Sequence, residues 1–328
     1  MGINLRYSPL EYQKRTNSFD FGGGQMLNYN AGGPNLGKTY HVKKTTDTNY
    51  QNWKDRTYHK YYDSSVSVYE KIEDAVAVAD DFDTIWVYDG EWVPSGTLNI
   101  TQKHLKLLAA DMGPNCGLAT TEIWQLTGTN VPVITLNGAN SCEIAGFRII
   151  PYNAATAIGI SVGETTECKG TWIHDNILYN LESVQASSIR LGSSGVEAQY
   201  SLIENNYFYM GGCPTTKTGQ IDWVHATRSM VRNNNFMINQ NSANVGCITV
   251  QHTAYMRGHI LDNTFWGCAE NTDDMVCNAV HVDAACQAGD LAIDGNHTYN
   301  LATPFSADTI YAHGFGLNYL NHGAISAS

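Results

Sequence analysis

The segment Ile173-His-Asp-Asn-Ile-Leu178 returns four times, as Ile203-Glu-Asn-Asn-Tyr-Phe208, Val231-Arg-Asn-Asn-Asn-Phe236, Ile260-Leu-Asp-Asn-Thr-Phe265 and Ile293-Asp-Gly-Asn-His-Thr298. The shared pattern is an aliphatic residue, any residue, Asp or Asn (once Gly), Asn, any residue, then usually a large apolar one. The aligned amides are Asn176, Asn206, Asn234, Asn263 and Asn296, at steps of 30, 28, 29 and 33 residues. An earlier copy, Ile144-Ala-Gly-Phe-Arg-Ile149, carries Phe147 in the Asn place. A fixed period near thirty residues is the signature of a repeat architecture.

A second short segment accompanies each copy: Ile158-Gly-Ile160, Ile189-Arg-Leu191, Ile221-Asp-Trp223, Ile248-Thr-Val250, Val280-His-Val282 and Ile310-Tyr-Ala312. Each places one variable residue between two apolar ones, the alternation of a strand with one buried face. Two strands per repeat, with no helical periodicity between them, predict a solenoid of parallel strands rising ~4.8 Å per coil. A buried Asn at each bend could then bond the Asn above and below it as well as the local backbone. The alternative is a set of solvent-facing turn residues, and five amides in register favour the ladder.

Upstream, Ser67-Val-Tyr-Glu70 reads as a capping box, with Ser67 as N-cap. Val68, Ile72, Ala75, Val76 and Ala79 then fall on one face of a helix. Such a helix would cover the open end of a solenoid, which otherwise exposes core and unpaired strand groups. Asp83-Thr-Ile-Trp-Val-Tyr88, Gly90-Glu-Trp92, Leu98-Asn-Ile100 and Leu105-Lys-Leu107 follow as strands.

Helix, Asp-Thr-Ile-x-Val, Gly-x-aromatic and Asn-bearing coils, over roughly residues 66–315, resemble the pectate-lyase-like superfamily. The resemblance implies an all-β fold: a right-handed single-stranded parallel β-helix of about eight coils, with an N-terminal capping helix. It leaves function open, because this fold hosts lyases, hydrolases, esterases and inert structural proteins. Phe82 is a departure, standing where many members have Gly. The expected organisation is an extended arm at 1–64, capping helix and first coils at 65–115, and the solenoid body with its C-terminal cap at 116–328.

The 328 residues suffice for a large core, and no run approaches the ~18 apolar residues of a membrane span. The start lacks a basic stretch followed by an apolar one, so no cleaved signal peptide is expected. Charge divides the chain. Residues 1–62 hold nine Lys or Arg against four Asp or Glu, and residues 63–328 hold ten against 27, giving +5 and −17. The acidic body argues against nucleic acid as a partner. The leader has eight Tyr, the Gly22-Gly-Gly24 run and few aliphatics, too little to fold by itself. It reads as a basic, Tyr-rich arm held by a partner chain through Arg6, Tyr7, Tyr12, Lys14, Arg15, Tyr29, Tyr40, Lys43 and Lys44. The alternative is an arm draped over its own solenoid.

The eight Cys include no Cys-x-x-Cys pair, and Cys268, Cys277, Cys286 and His281 fit no zinc spacing. Free buried thiols, no metal and no cofactor are the expectation. The central residues of the second segments form a column of Gly159, Arg190, Asp222, Thr249, His281 and Tyr311. Two residues on, a second column runs Ser161, Gly192, Val224, Gln251, Asp283 and His313, with His225 and His252 just beyond the strand ends. If the coils stack in register, Arg190 neighbours Asp222. Asp222, Asp283, His281 and Arg190 are the candidate catalytic set, two carboxylates for glycoside cleavage and His for proton transfer. An ordinary polar face, or a subunit interface of paired charges, would use the same residues. Arg-x-Pro-x-x-Arg of the calcium-dependent pectate lyases and Gly-His-Gly of the polygalacturonases are absent; Asn271-Thr-Asp-Asp274 echoes only part of the latter's pattern.

Two expectations follow. The resemblance extends to β-helix proteins of virions, above all of bacteriophage. It implies a decoration, cement or spike protein anchored on capsid proteins by residues 1–62, made in the host cytoplasm and located in the virion. Three copies would stand side by side, with Trp223 and Tyr311 lining the contact. The alternative is a tailspike-type hydrolase or lyase acting on surface polysaccharide.

Overall fold

The computed structural model describes residues 18–20, 26–28, 37–47, 50, 68–110, 120–125, 131–151, 157–180, 187–210, 219–238, 246–251, 257–267, 278–283, 290–299, 301, 305–307, 319–320 and 325–327. Each repeat makes three strands rather than two, because the Asn stands at a bend that splits its own motif. One repeat gives Trp172–His174, Ile177–Asn180 and Ile189–Leu191; the next gives Leu202–Glu204, Tyr207–Met210 and Ile221–Trp223. Each strand pairs in parallel with its counterpart one repeat on, with Ile173 opposite Ile203, Leu178 opposite Phe208 and Leu191 opposite Trp223. Three long sheets result, of ten, nine and nine strands. They are named here, in chain order within a repeat, the ladder sheet, the aromatic sheet and the row sheet. The tally departs slightly from the eight coils expected, since the terminal rungs do not contribute to all three sheets.

The bend explains the composition of the motif. Asp175, Asn205, Asn233 and Asp262, each just before a ladder Asn, hold φ of 54–55°, and Gly295 holds 66°. Gly, Asn and Asp are the residues that enter this left-handed region at least cost. The next residue turns inward, and its amide is handed from coil to coil. Asn176 Nδ2 donates to Asn206 Oδ1 at 3.1 Å, Asn206 to Asn234 at 3.1 Å, Asn234 to Asn263 at 3.0 Å and Asn263 to Asn296 at 3.0 Å. The same Oδ1 atoms accept the backbone N–H of the preceding Asn, and each Nδ2 also reaches backbone carbonyls, as Asn206 does to Ile173 and Glu204. Phe147 ends the column by donating its backbone N–H to Asn176 Oδ1 at 3.0 Å. Beside the amides, Phe208, Phe236 and Phe265 stack with centroids 4.5 and 4.7 Å apart.

At the N-terminal end the helix is Ile72–Val78, shorter than expected and without a side-chain cap. The capping box does not form as read: Val68–Tyr69 is a strand paired with His41–Val42, and Lys71 occupies the N-cap position. Ile72, Ala75 and Val76 still face the core and pack on Thr39–Val42 and Leu98–Ile100, the first strand of the row sheet. Phe82, the departure from Gly, holds φ of 71° and lays its ring on His104 at 4.4 Å.

The extended arm is corrected at its C-terminal part. Thr39–Val42 is a ladder-sheet strand in register with Thr84–Val87. Tyr40 and Lys43 are buried, and Lys43 pairs with Asp47 at 2.6 Å and Asp89 at 3.2 Å. Lys44 Nζ donates to the Glu91 carbonyl and lies 5.2 Å from the Trp92 ring. These three residues are engaged by their own chain and not held out for a partner. Arg6, Tyr7, Tyr12, Lys14, Arg15 and Tyr29 lie outside the described residues. No helix among the described residues is long and apolar enough to cross a membrane.

Replacing Asn234 with Ala strands the Asn206 and Asn263 groups that bond it and the Ile203 and Arg232 carbonyls. At ~1–3 kcal/mol per unsatisfied buried group, Asn234→Ala should cost about 3 kcal/mol or more. The same change at exposed Asn235 should cost less than about 0.5 kcal/mol. Urea unfolding of the two variants measures the difference.

Candidate functional site

The row sheet carries the expected column with its ends corrected. The strand before Ile189–Leu191 is Ile160–Val162, so Ser161 and not Gly159 stands beside Arg190. The strand after Asn278–Val282 is Phe305–Ala307, so Ser306 and not Tyr311 follows His281. The column is therefore Asn99, Thr135, Ser161, Arg190, Asp222, Thr249, His281 and Ser306. Ile189, Leu191, Ile221 and Trp223 point into the core, which turns Arg190 and Asp222 outward. Trp223 is fully buried and cannot line a contact between copies. Tyr311, His313, His252 and Asn271–Asp274 lie outside the described residues.

Although it points away from the core, the column is buried. Asp222 is 2% exposed, and Ser161, Thr249 and His281 are buried beside it. Asp222 Oδ2 lies 3.4 Å from Arg190 Nε, whose side chain is 30% exposed. That contact is an ion pair with poor hydrogen-bond geometry: Arg190 Nε, Asp222 Oδ1 and Ser161 Oγ are all buried without a hydrogen-bond partner. Burial pushes the Asp222 carboxyl up to about 6, against the pull of Arg190. Such a group can hold or release a proton near neutrality, and it stands in contact with a cation that reaches solvent.

Asp283 follows Val282 two rungs above Asp222 and one column over; its N–H bonds the Val250 carbonyl. The two backbone positions are thus separated by two rungs, ~9.6 Å along the axis, and by one column across the sheet. The structure brings Arg190 to Asp222, puts His281 two rungs away in the same column, and leaves Asp283 outside the group.

A second cluster, on the outer face of the ladder sheet, escaped the sequence reading. Glu143 lies between Lys106 at 2.7 Å and His174 at 3.1 Å, and the other ring nitrogen of His174 meets Asp175 at 2.8 Å. Trp172 stacks on His174 at 3.9 Å and donates its indole N–H to Glu204, which also pairs with Arg232 at 2.7 Å. Burial disfavours a charge on His174, but the hydrogen bonds to Asp175 and Glu143 outweigh it and lift its pKa to about 9. Burial likewise opposes the Glu143 charge, and the bonds from His174 and Lys106 win and lower its pKa. The signal was the variable position of the repeat itself. Aligned, it runs His174, Glu204, Arg232, Leu261 and Asp294, opposite charges on adjacent rungs. These groups satisfy one another and ask for no ligand. Cys142, Cys168 and Cys247 are buried free thiols, and burial raises the Cys142 thiol to about 12. Among the described residues no three His, Cys, Asp or Glu side chains converge as metal ligands.

Solved structures that superpose on this chain include pectin methylesterases and alginate lyases. Pectin methylesterase PemA from Erwinia chrysanthemi matches with a TM-score of 0.55 at 10% identity, over 89% of this chain and 92% of that one. A pectin methylesterase in complex with a hexasaccharide gives 0.51 at 10% identity, over 82% of each chain. The PL6 alginate lyase AlyGC gives 0.50 at 12% identity, over 89% of this chain but 40% of the lyase. These likenesses establish the fold, that of the right-handed parallel β-helices. No protein-family profile matches the sequence, and no curated protein matches it significantly.

The two clusters make separable pH signatures. Asp222 is raised in the folded state, so its favourable contribution is complete below about pH 4 and lost as pH rises through about 6. His174 is also raised, so its contribution is complete below about pH 6.5 and lost as pH rises through about 9. Stability measured by denaturant unfolding should fall in both windows. Asp222→Asn should remove the slope that ends near pH 6, and His174→Gln the one that ends near pH 9, the latter also weakening the acid-side contribution of Glu143.

Proposed function

We propose that this protein engages polysaccharide through the outer face of the row sheet, with Asp222 as the proton-transfer group and Arg190 as the anchor for a sugar hydroxyl or carboxylate. The observation that carries this reading is the buried Asp222 carboxyl, whose Oδ1 has no hydrogen-bond partner and whose Oδ2 meets only Arg190 at 3.4 Å, where the strand asks for no charge. A solenoid rung is complete with Thr or Ser at this position, as Thr135 and Thr249 show in the same column. A buried carboxylate with an unbonded oxygen costs stability, and such groups concentrate where chemistry or binding uses them. The polysaccharide-acting enzymes that share the fold support the substrate class. Asp222 is the carboxylate that the described residues place at the site, so the reading is a hydrolase or lyase in which Asp222 moves the proton.

The second reading is a virion structural protein, a phage decoration, cement or spike protein with a projecting solenoid in side-by-side copies. It is favoured by the division of charge between a Tyr-rich leader and a body of −17. It is weakened at Tyr40, Lys43 and Lys44, which the body itself engages, so the anchor would rest on the leader's other residues, above all those upstream of Lys38. The two readings are compatible in a virion spike that cleaves a surface glycan.

Incubation with pectin, alginate and capsular polysaccharides, followed by assay of reducing and unsaturated chain ends, tests the first reading. Release from at least one polymer is expected, with a loss of ~100-fold or more in Asp222→Asn, the range of a missing acid–base group. The same variant should be more stable than the parent at pH 8, by about 1–3 kcal/mol for relief of a buried, poorly bonded charge. Full activity in Asp222→Asn would sink the assignment. For the second reading, removal of residues 1–36, which spares the Thr39–Val42 strand, should abolish co-sedimentation with particles while leaving thermal unfolding unchanged.

A further inference from the structure

The aromatic sheet turns a different column outward, one that the proposed site does not use. In register up the solenoid stand Trp124, Ile150, Tyr179, Tyr209, Met237, Trp266 and Tyr299. Ile150 is buried, and the others are half-buried or exposed, Trp266 to 46%. Seven rungs at ~4.8 Å make an apolar stripe ~29 Å long, parallel to the solenoid axis. The flanking column on the same face is Ile177, Tyr207, Asn235 and Thr264 over the middle rungs, none charged at neutral pH. Among the described residues of this face charge returns at the N-terminal end, where Glu122 pairs with Arg148, and Arg148 lies 5.8 Å from the Tyr179 ring.

We infer that this stripe is the surface through which copies of this chain pack side by side, their axes aligned with it. Three observations select a further copy over other occupants. First, the body carries −17, so two copies repel one another wherever charged faces meet, and a neutral stripe is where they can approach. Second, the stripe repeats at the strand spacing over its whole length. An identical stripe has the same repeat, so large side chains of one copy can seat between rungs of the other at every level. An unrelated surface has no reason to share that period. Third, rings of the stripe already pack on one another: Trp266 stacks on Tyr299 at 4.2 Å and 11°, and Tyr179 lies beside Tyr209 at 4.9 Å, tilted by 36°. Ring faces directed along the axis leave edges outward, which suits protein packing and denies a sugar the open aromatic face on which it would stack. Tyr, Trp and Met are also the residues enriched at the centres of protein interfaces, where Lys, Glu and Asp are depleted.

The full chain, analysed by sedimentation velocity at its highest soluble concentration, should have a mass that is a multiple of the monomer. Trp266→Lys and Tyr209→Lys each insert a charge into the stripe and should shift the sedimenting mass to the monomer, with the thermal midpoint of the monomeric fold retained by circular dichroism. Val78→Lys, at a residue 46% exposed on the capping helix and outside the stripe, should keep the parental mass. A monomeric parent overturns the inference, as does a multimer that survives both stripe substitutions. Since Asp222 is on a different sheet, these outcomes are independent of polysaccharide cleavage.

Discussion

The column of Asn amides is the constraint on which the rest of this molecule depends. Within the column each side-chain oxygen takes a backbone and a side-chain N–H from the Asn of the coil before it, and side-chain nitrogens such as those of Asn176, Asn206 and Asn234 reach two backbone carbonyls and the next oxygen. A bend in the middle of a strand would otherwise bury unbonded peptide groups, at a cost no packing nearby could offset. With the amide in place the chain can turn sharply at every coil and still bury the turn. Because one Asn bonds the next, the bends must stack, and their stacking sets the register of all three sheets. The Phe208–Phe236–Phe265 pile and the aliphatic columns then fill a cross-section that the amides have already fixed.

A solenoid built this way has an outer surface of columns whose residues sit at one repeated spacing. Chemistry is therefore written along the axis, one residue per rung, and three columns show three outcomes. On the ladder sheet, adjacent rungs alternate in sign and the charges consume one another, as His174, Glu204 and Arg232 do. On the aromatic sheet, adjacent rungs are alike and stack. On the row sheet, Arg190 meets Asp222 with poor geometry, Thr249 follows, and the carboxylate keeps an unbonded oxygen. In the last column Ser161, Arg190 and Asp222, on three successive rungs, each keep a buried atom without a hydrogen-bond partner, and one of them is a carboxylate, which is why it and not the larger charge cluster is read as the site.

Much of this was legible in the sequence, for a physical reason. The left-handed position before each ladder Asn admits few residue types, so Asp, Asn or Gly had to recur there, and the inward position needed the amide itself. The neighbouring strands were harder. At Ile158-Gly-Ile160-Ser-Val162 the alternation runs past both possible strands, and the register is decided by pairing with Ile189–Leu191, which no local pattern encodes. The slip of two residues exchanged Gly159 for Ser161 in the site column. Ser67 and Glu70 carry the spacing of a capping box, yet Val68–Tyr69 is drawn into a strand by Thr39–Val42, a partner more than twenty residues upstream. Local propensity lost there to a tertiary hydrogen-bond ladder.

The same competition decides how the leader is understood. Its composition, Tyr-rich and poor in aliphatics, describes a segment that cannot build a core, and that holds for residues taken by themselves. Yet a growing solenoid offers an edge of unpaired strand groups at its first rung. A short run such as Thr-Tyr-His-Val needs no core of its own, because the edge supplies the hydrogen bonds and Ile85 and Val87 supply the apolar wall. Lys43 follows the strand inward and is held by two carboxylates, while Lys44 stays out and spreads over Trp92. Basic charge in the leader thus has a use within the monomer, neutralising an acidic rim at the solenoid's first rung. The leader's other cations, on both sides of this strand, are what remains to be explained.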